Sequence, residues 1–111
     1  MLYINDNTKE IQLTRGDTAK IEVNIYIDDE KYTPADGDIV RFAMKRTYSD
    51  LSPVLISKVV PLDTMVLHIS PDDTKSLQYN KSYVYDLEIT FANGDVRTFI
   101  SGTLTLLPEV E

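Results

Sequence analysis

Between positions 18 and 27 the chain alternates. Ala19, Ile21, Val23, Ile25 and Ile27 fall in one phase, and Lys20, Glu22, Asn24 and Tyr26 in the other. A strand with one wet face requires a period of two, whereas a helix would spread these apolar residues around its axis, so the segment reads as a strand. The same holds from 82 to 91, where Tyr83, Tyr85, Leu87, Ile89 and Phe91 alternate with Val84, Asp86, Glu88 and Thr90. Asn93-Gly94 follows, a pair suited to the positive φ angles of a tight type I′ turn, which predicts a hairpin. The returning strand, from Asp95 to about Leu107, keeps Val96, Thr98, Ile100, Leu104 and Leu106 in phase. Gly102 shares that phase and marks a bend, a bulge or a close backbone approach. Further strands are predicted over 10–14, 39–46, 54–60 and 64–70, with Val40, Phe42, Met44, Met65, Leu67 and Ile69 inward.

One segment breaks the β pattern. Ser70-Pro71-Asp72-Asp73 offers a capping hydroxyl, a proline at the first helical position and two acids in the first turn, which predicts a short helical turn over 71–78 with Leu77 against the core. Tyr83 or Tyr85 beyond it is placed like the tyrosine corner of immunoglobulin-like folds, while the cysteines and tryptophan of antibody domains are absent. The pattern predicts one all-β domain over 1–111. Its expected form is a two-sheet antiparallel β-sandwich, immunoglobulin-like, with about 7–8 strands. A jelly roll or small barrel is the alternative topology.

Composition narrows the function classes. The chain has 111 residues and no cysteine, which excludes disulfides, thiolate catalysis and a cysteine-ligated zinc site. With 11 basic against 18 acidic residues the formal charge is −7, which repels phosphate backbones and anionic lipid, so neither nucleic acid nor a membrane is expected as partner. The start, Met1-Leu2-Tyr3-Ile4-Asn5-Asp6, lacks a basic and then apolar signal region, so no signal peptide and synthesis in the cytoplasm are expected.

Candidate chemistry is sparse. His68 is the only histidine and alternation turns it away from Leu67 and Ile69; nothing in the sequence brings it a carboxylate and a nucleophile. Acidic clusters at Asp28-Asp29-Glu30, Asp36-Gly37-Asp38, Asp63 and Asp72-Asp73 fall at predicted turns, where aspartate bonds to local backbone. None matches the spaced ligands of an EF-hand calcium loop. Arg15-Gly16-Asp17 spells an integrin-recognition tripeptide, but it lies between two strands where Gly and Asp make a turn. Outward Tyr26, with Tyr32, Tyr48 and Tyr79 in loops, supplies flat amphipathic anchors for a protein partner or a sugar. No catalytic, cofactor-binding or metal-ligating residue is assigned, and no enzyme is expected.

Taken in order, Ile11-Gln12-Leu13-Thr14-Arg15-Gly16-Asp17-Thr18-Ala19, an alternating strand, an acidic turn and Gly37-Asp38-Ile39-Val40-Arg41-Phe42 form a pattern. It continues through Ile69-Ser70-Pro71-Asp72-Asp73-Thr74, Tyr83-Val84-Tyr85-Asp86-Leu87-Glu88-Ile89, Gly94-Asp95-Val96-Arg97-Thr98 and Gly102-Thr103-Leu104-Thr105-Leu106. This resembles the N-terminal domain of phage baseplate upper proteins and related small prophage proteins of Gram-positive bacteria, from Ile11 to Val110. The resemblance implies a structural protein of a phage tail or baseplate, without catalysis or cofactor. Its implied partners are other tail and baseplate proteins or further copies of itself, and its implied location is the virion, assembled in the host cytoplasm. Gly16, Asp17, Gly37, Asp38, Asp73, Tyr83, Tyr85 and Gly94 carry the match, and with Ser70 and Asn93 they are expected to set turns and corner hydrogen bonds. The alternative function is a carbohydrate- or surface-binding sandwich module, calcium-dependent in one form.

Overall fold

Alternating segments bury one face each, and pairing them side by side makes that face continuous. The structure, a computed structural model, describes residues 1–109; Val110, where the resemblance ends, and Glu111 lie outside the described residues. The elements are β1 (Leu2–Ile4), β2 (Ile11–Thr14), β3 (Ala19–Glu22), β4 (Ile25–Ile27), β5 (Glu30–Tyr32), β6 (Ile39–Lys45), β7 (Val54–Val60), β8 (Val66–Ile69), α1 (Pro71–Lys75), β9 (Lys81–Thr90) and β10 (Val96–Leu107). A six-stranded sheet has the order β1-β2-β10-β9-β6-β7, and β3-β8 and β4-β5 form separate pairs. No helix among the described residues is long and apolar enough to cross a membrane.

Register explains the core. On β9, Tyr83, Tyr85, Leu87 and Ile89 are buried while the residues between them are not. Leu87 lies opposite Phe42, Tyr85 opposite Met44 and Ile89 opposite Val40 on β6. On the other side Leu104 of β10 lies opposite Tyr83 and, one strand further, Leu104 and Leu106 meet Ile11 and Leu13 of β2. Ala19, Ile25, Leu67 and Ile69 of the small sheets join the same buried cluster. Each large apolar side chain so buried contributes about 1.5–3 kcal/mol.

The chain departs from the predicted elements at defined places. The expected strand over 18–27 splits at Val23-Asn24. β3 pairs with β8 in register Ala19 to Ile69, whereas β4 turns to β5. The apolar phase survives because the Val23 N–H still donates to the Met65 carbonyl at 2.9 Å. Among the described residues ten strands replace the expected seven or eight, since β1 and β5, at three residues each, are too short to display alternation. The sheet is not wholly antiparallel, as β2 and β10 run parallel. No hairpin ties these two strands, and running together they deliver both C-terminal ends to α1, where the Arg15 N–H donates to the Leu107 carbonyl at 3.0 Å. The helix is shorter than predicted and ends at Lys75.

Turn chemistry is redistributed as well. Only Gly94 has a positive φ, 94°, in the β9–β10 loop; Asn93 does not. The Gly94 N–H donates to the Phe91 carbonyl and the Phe91 N–H to the Asp95 carbonyl, both at 2.8 Å. This is a type I turn over Ala92-Asn93 followed by a left-handed glycine bulge, in place of the expected type I′ turn. The two-residue I′ geometry occurs at Asp28-Asp29, with φ 52° and 66°, between paired Ile27 and Glu30. In β10 the register shifts between Thr98 and Ile100, which reverses the phase, so Val96 is 59% exposed and Thr98 faces solvent, where both were expected in phase with Ile100, Leu104 and Leu106. Gly102 is the close approach: a Cβ there would stand 2.7 Å from the Lys9 carbonyl oxygen and 3.2 Å from the Tyr85 ring.

Val23 is 4% exposed, so Val23→Asp buries an unpaired charge. Against a stability of about 5–15 kcal/mol this should abolish the cooperative melt followed by circular dichroism. Gly94→Ala should cost about 1 kcal/mol, because an L-residue is forced left-handed where nothing else crowds it. Asn93→Ala should cost clearly less in the same melts, and equal losses would restore the type I′ geometry.

Candidate functional site

The residues singled out in sequence gather at two ends of the molecule. At the α1 end the Asp73 carboxylate accepts the Ser70 N–H at 2.7 Å and the Ser70 hydroxyl at 3.0 Å, and Lys58 Nζ lies 2.9 Å away. Burial pushes the Asp73 carboxyl up, but Lys58 and the two Ser70 donors together outweigh it and hold it below the ordinary range. Gly16, at φ 85°, sits in a turn closed by the Asp17 N–H on the Thr14 carbonyl at 3.1 Å. Its own N–H donates to Thr74 Oγ1 at 2.8 Å. Thr74 is fully buried and was not foreseen; it, with half-buried Leu77, fastens the helix. The Tyr83 hydroxyl accepts the Gln78 N–H at 3.0 Å and donates to the Gln78 carbonyl at 3.3 Å, closing a corner five residues upstream.

Arg15-Gly16-Asp17 is tied down within the fold. Arg15 Nη2 meets Glu109 at 2.8 Å, Nη1 donates to the Leu77 carbonyl at 3.2 Å, and the guanidinium lies over the Tyr79 ring at 4.9 Å. Asp17 takes the Met1 ammonium.

At the opposite end Asp38 is the hub. One carboxylate oxygen accepts the Tyr32 hydroxyl at 2.6 Å and the Ala35 N–H at 2.9 Å, and the other accepts the Ala92 N–H at 3.0 Å. The Tyr32 hydroxyl first, then the Ala35 and Ala92 amides, hold the carboxyl below its ordinary value against the opposing effect of burial, and the same hydroxyl bond raises the Tyr32 phenol. Gly37, at φ 94°, stands against Ala92, whose Cβ would lie 2.9 Å from an added Cβ. Asn93 Oδ1 accepts the Asp95 N–H at 2.9 Å in the same loop. Tyr85 stands between the two ends; its hydroxyl donates to the Lys9 carbonyl, and burial, with Tyr48 adding, pushes it up to about 12.

These groups do not converge on one point, and each carboxylate with a perturbed pKa is occupied by backbone or side-chain donors. His68 is exposed and faces Lys20 across the β3–β8 pair. Among the described residues no three histidine, aspartate or glutamate side chains come together as a metal-holding group.

Two surface features were not anticipated. A cleft of about 430 Å³ lies between the Val23-Asn24 break and the Phe99 bulge, lined by Ile4, Ile21, Val23, Phe42, Phe99 and Ile100 among others. No periodicity announces it, because both irregularities that open it interrupt the pattern. The second feature is β7, which ends the large sheet and has β6 on one side only. Val54 and Leu55 are exposed and Val59 is 61% exposed; the loop before them carries Leu51 at 94% and Tyr48 at 69%. A signal for β7 existed: Val54, Leu55, Ile56, Val59 and Val60 fill both phases, the composition of a strand covered on both faces.

No protein-family model matches the sequence, and no curated protein matches it.

Because the folded Asp38 value lies below the unfolded one, its stabilisation is fully present above the unfolded value and is lost as pH falls through the folded value. Urea melts taken from neutral pH down through the carboxylate range should therefore lose stability in acid. Asp38→Asn should lower stability at neutral pH and flatten this acid limb; an unchanged slope would remove Asp38 as a source.

Proposed function

We propose that this chain is a single, non-catalytic interaction domain: a structural and assembly protein of a phage or prophage tail or baseplate, acting by protein–protein contact. The observation that carries the reading is the open β7 edge with its exposed apolar residues. An edge strand offers a row of backbone donors and acceptors to another strand, and native proteins ordinarily blunt such a row. Here Val54, Leu55 and Val59 stand exposed beside it. The resemblance of the turn and corner residues to baseplate upper proteins supplies the virion context, with the particle assembled in the host cytoplasm.

The architecture in this reading is a two-layer, immunoglobulin-like sandwich. Its support is the shared core of the three sheets and the Tyr83 corner bond. The charge of −7 weighs against nucleic acid and anionic membranes as partners. A carbohydrate- or surface-binding module is the second reading, favoured by the cleft, where Tyr26 forms part of the lining and is itself exposed.

Tail particles purified from induced cultures of a bacterium carrying the gene should contain the chain in fixed ratio to other tail proteins by quantitative mass spectrometry. Its absence from those particles, together with a melting temperature raised by glycans or lowered by chelator, would transfer the assignment to the second reading.

A further inference from the structure

The β7 edge is complementary to itself. Val54-Leu55-Ile56-Ser57-Lys58-Val59-Val60 is bounded by Pro53 and Pro61, which lack the N–H that a ladder needs, so any added strand is confined to this span. Within it the exposed apolar residues Leu55 and Val59 stand symmetrically about Ser57. When two such strands run antiparallel with Ser57 against Ser57, Leu55 of each copy meets Val59 of the other, and Lys58 meets Ile56. No like charges oppose one another. Slipping the register to centre on Lys58 would set lysine against lysine, so charge as well as hydropathy selects the Ser57 axis.

Lysine on an edge strand normally guards it. Lys58 does not serve this way, because its ammonium turns to Asp73 of α1 at 2.9 Å. Leu55 and Val59 share the outward phase with Ser57, and all three are exposed. The bulge that shifts the β6–β7 register falls at Leu55, near the end of the strand, and leaves Ile56 to Val60 regular. The loop bearing Leu51 and Tyr48 precedes Val54 and so comes beside the Val60 end of the second copy, which lengthens the apolar contact.

We propose that two copies of this chain associate through antiparallel β7 strands about a two-fold axis at Ser57, joining the two six-stranded sheets edge to edge. The choice of a protein partner rests on the assembly reading above; the choice of a second copy rests on the symmetry of the strand, which a different partner would not require. Because each chain carries −7, association strengthens as salt screens the repulsion.

Light scattering on a sizing column, over a range of concentration and salt, should give twice the chain mass of 12.6 kDa for the unaltered protein. Leu55→Lys with Val59→Lys sets like charges opposite at both pairs and should halve that mass. Leu55→Lys with Val59→Glu sets the new lysine of one copy against the new glutamate of the other and should keep the dimer. Both positions are exposed, and circular-dichroism melts near that of the parent establish that the variants fold. A monomeric parent at every concentration overturns the proposal, as does a dimer that survives the double lysine variant or is lost in the folded charge-swapped one. A chain that is monomeric in solution yet present in purified tails overturns the dimer alone and leaves the assembly reading standing.

Discussion

The inward row of β9, Tyr83, Tyr85, Leu87 and Ile89, holds the molecule together because its strand lies between β6 and β10 and all four of its side chains are buried. Phe42 and Met44 of β6 close on it from one side and Ile100 and Leu104 of β10 from the other. Its two tyrosines do more than fill volume. Their rings lie in the core while their hydroxyls reach the Gln78 backbone and the Lys9 carbonyl, so the loops that precede β9 and β2 are anchored to the element that organises the sheet. Phe42 packs on the Tyr85 ring at 5.5 Å, and Gly102 is required beside it because any Cβ would strike the Lys9 backbone. A change in this row therefore reaches the sheet, the corner and the β1–β2 loop together.

Around that apolar centre, polar groups are buried only with full partners. Asp38 spends both carboxylate oxygens on Tyr32, Ala35 and Ala92, and Thr74 receives the Gly16 amide at full burial. Among the described residues no buried side-chain nitrogen or oxygen is left without a hydrogen bond. Leaving one unpaired would cost about 1–3 kcal/mol, so satisfying all of them is what a stable domain needs.

Much of this was readable in the chain, and the failures share a cause. β6 and β9 were found at nearly their observed limits because each repeats the alternation over several residues, and β7 because its apolar, β-branched run is bounded by Pro53 and Pro61. The turn set by Gly16 and the corner at Tyr83 rest on local chemistry that a short stretch states by itself. β1 and β5 carry three residues each, too few for a period. The phase reversal at Phe99 and the break at Val23-Asn24 come from pairing with distant strands. Asn93-Gly94 carried the strongest local signal for a type I′ turn, yet that geometry went to Asp28-Asp29, where pairing of Ile27 with Glu30 leaves two residues to reverse the chain. The span between paired strands, set by tertiary register, outweighed the preference of the residues within it. The same limit explains why the turn residues dispersed to two ends and formed no common site.

Where the sheet stops is the remaining constraint. Its two edges are unequal. β1 is three residues long and gives a second strand little to hold, whereas β7 extends through seven and is apolar in both phases. One phase is accounted for: Ile56 and Val60 are buried beneath the sheet. The other has no counterpart among the described residues, and the acidic surplus of the chain is absent from the strand itself, whose single charge is drawn away to Asp73. Solubility alone would favour a second lysine or a glutamate at Leu55 or Val59, as the outward face of β9 has Asp86 and Glu88. That the chain keeps branched apolar residues on the longer of its sheet's two open edges is the observation on which the proposed association rests.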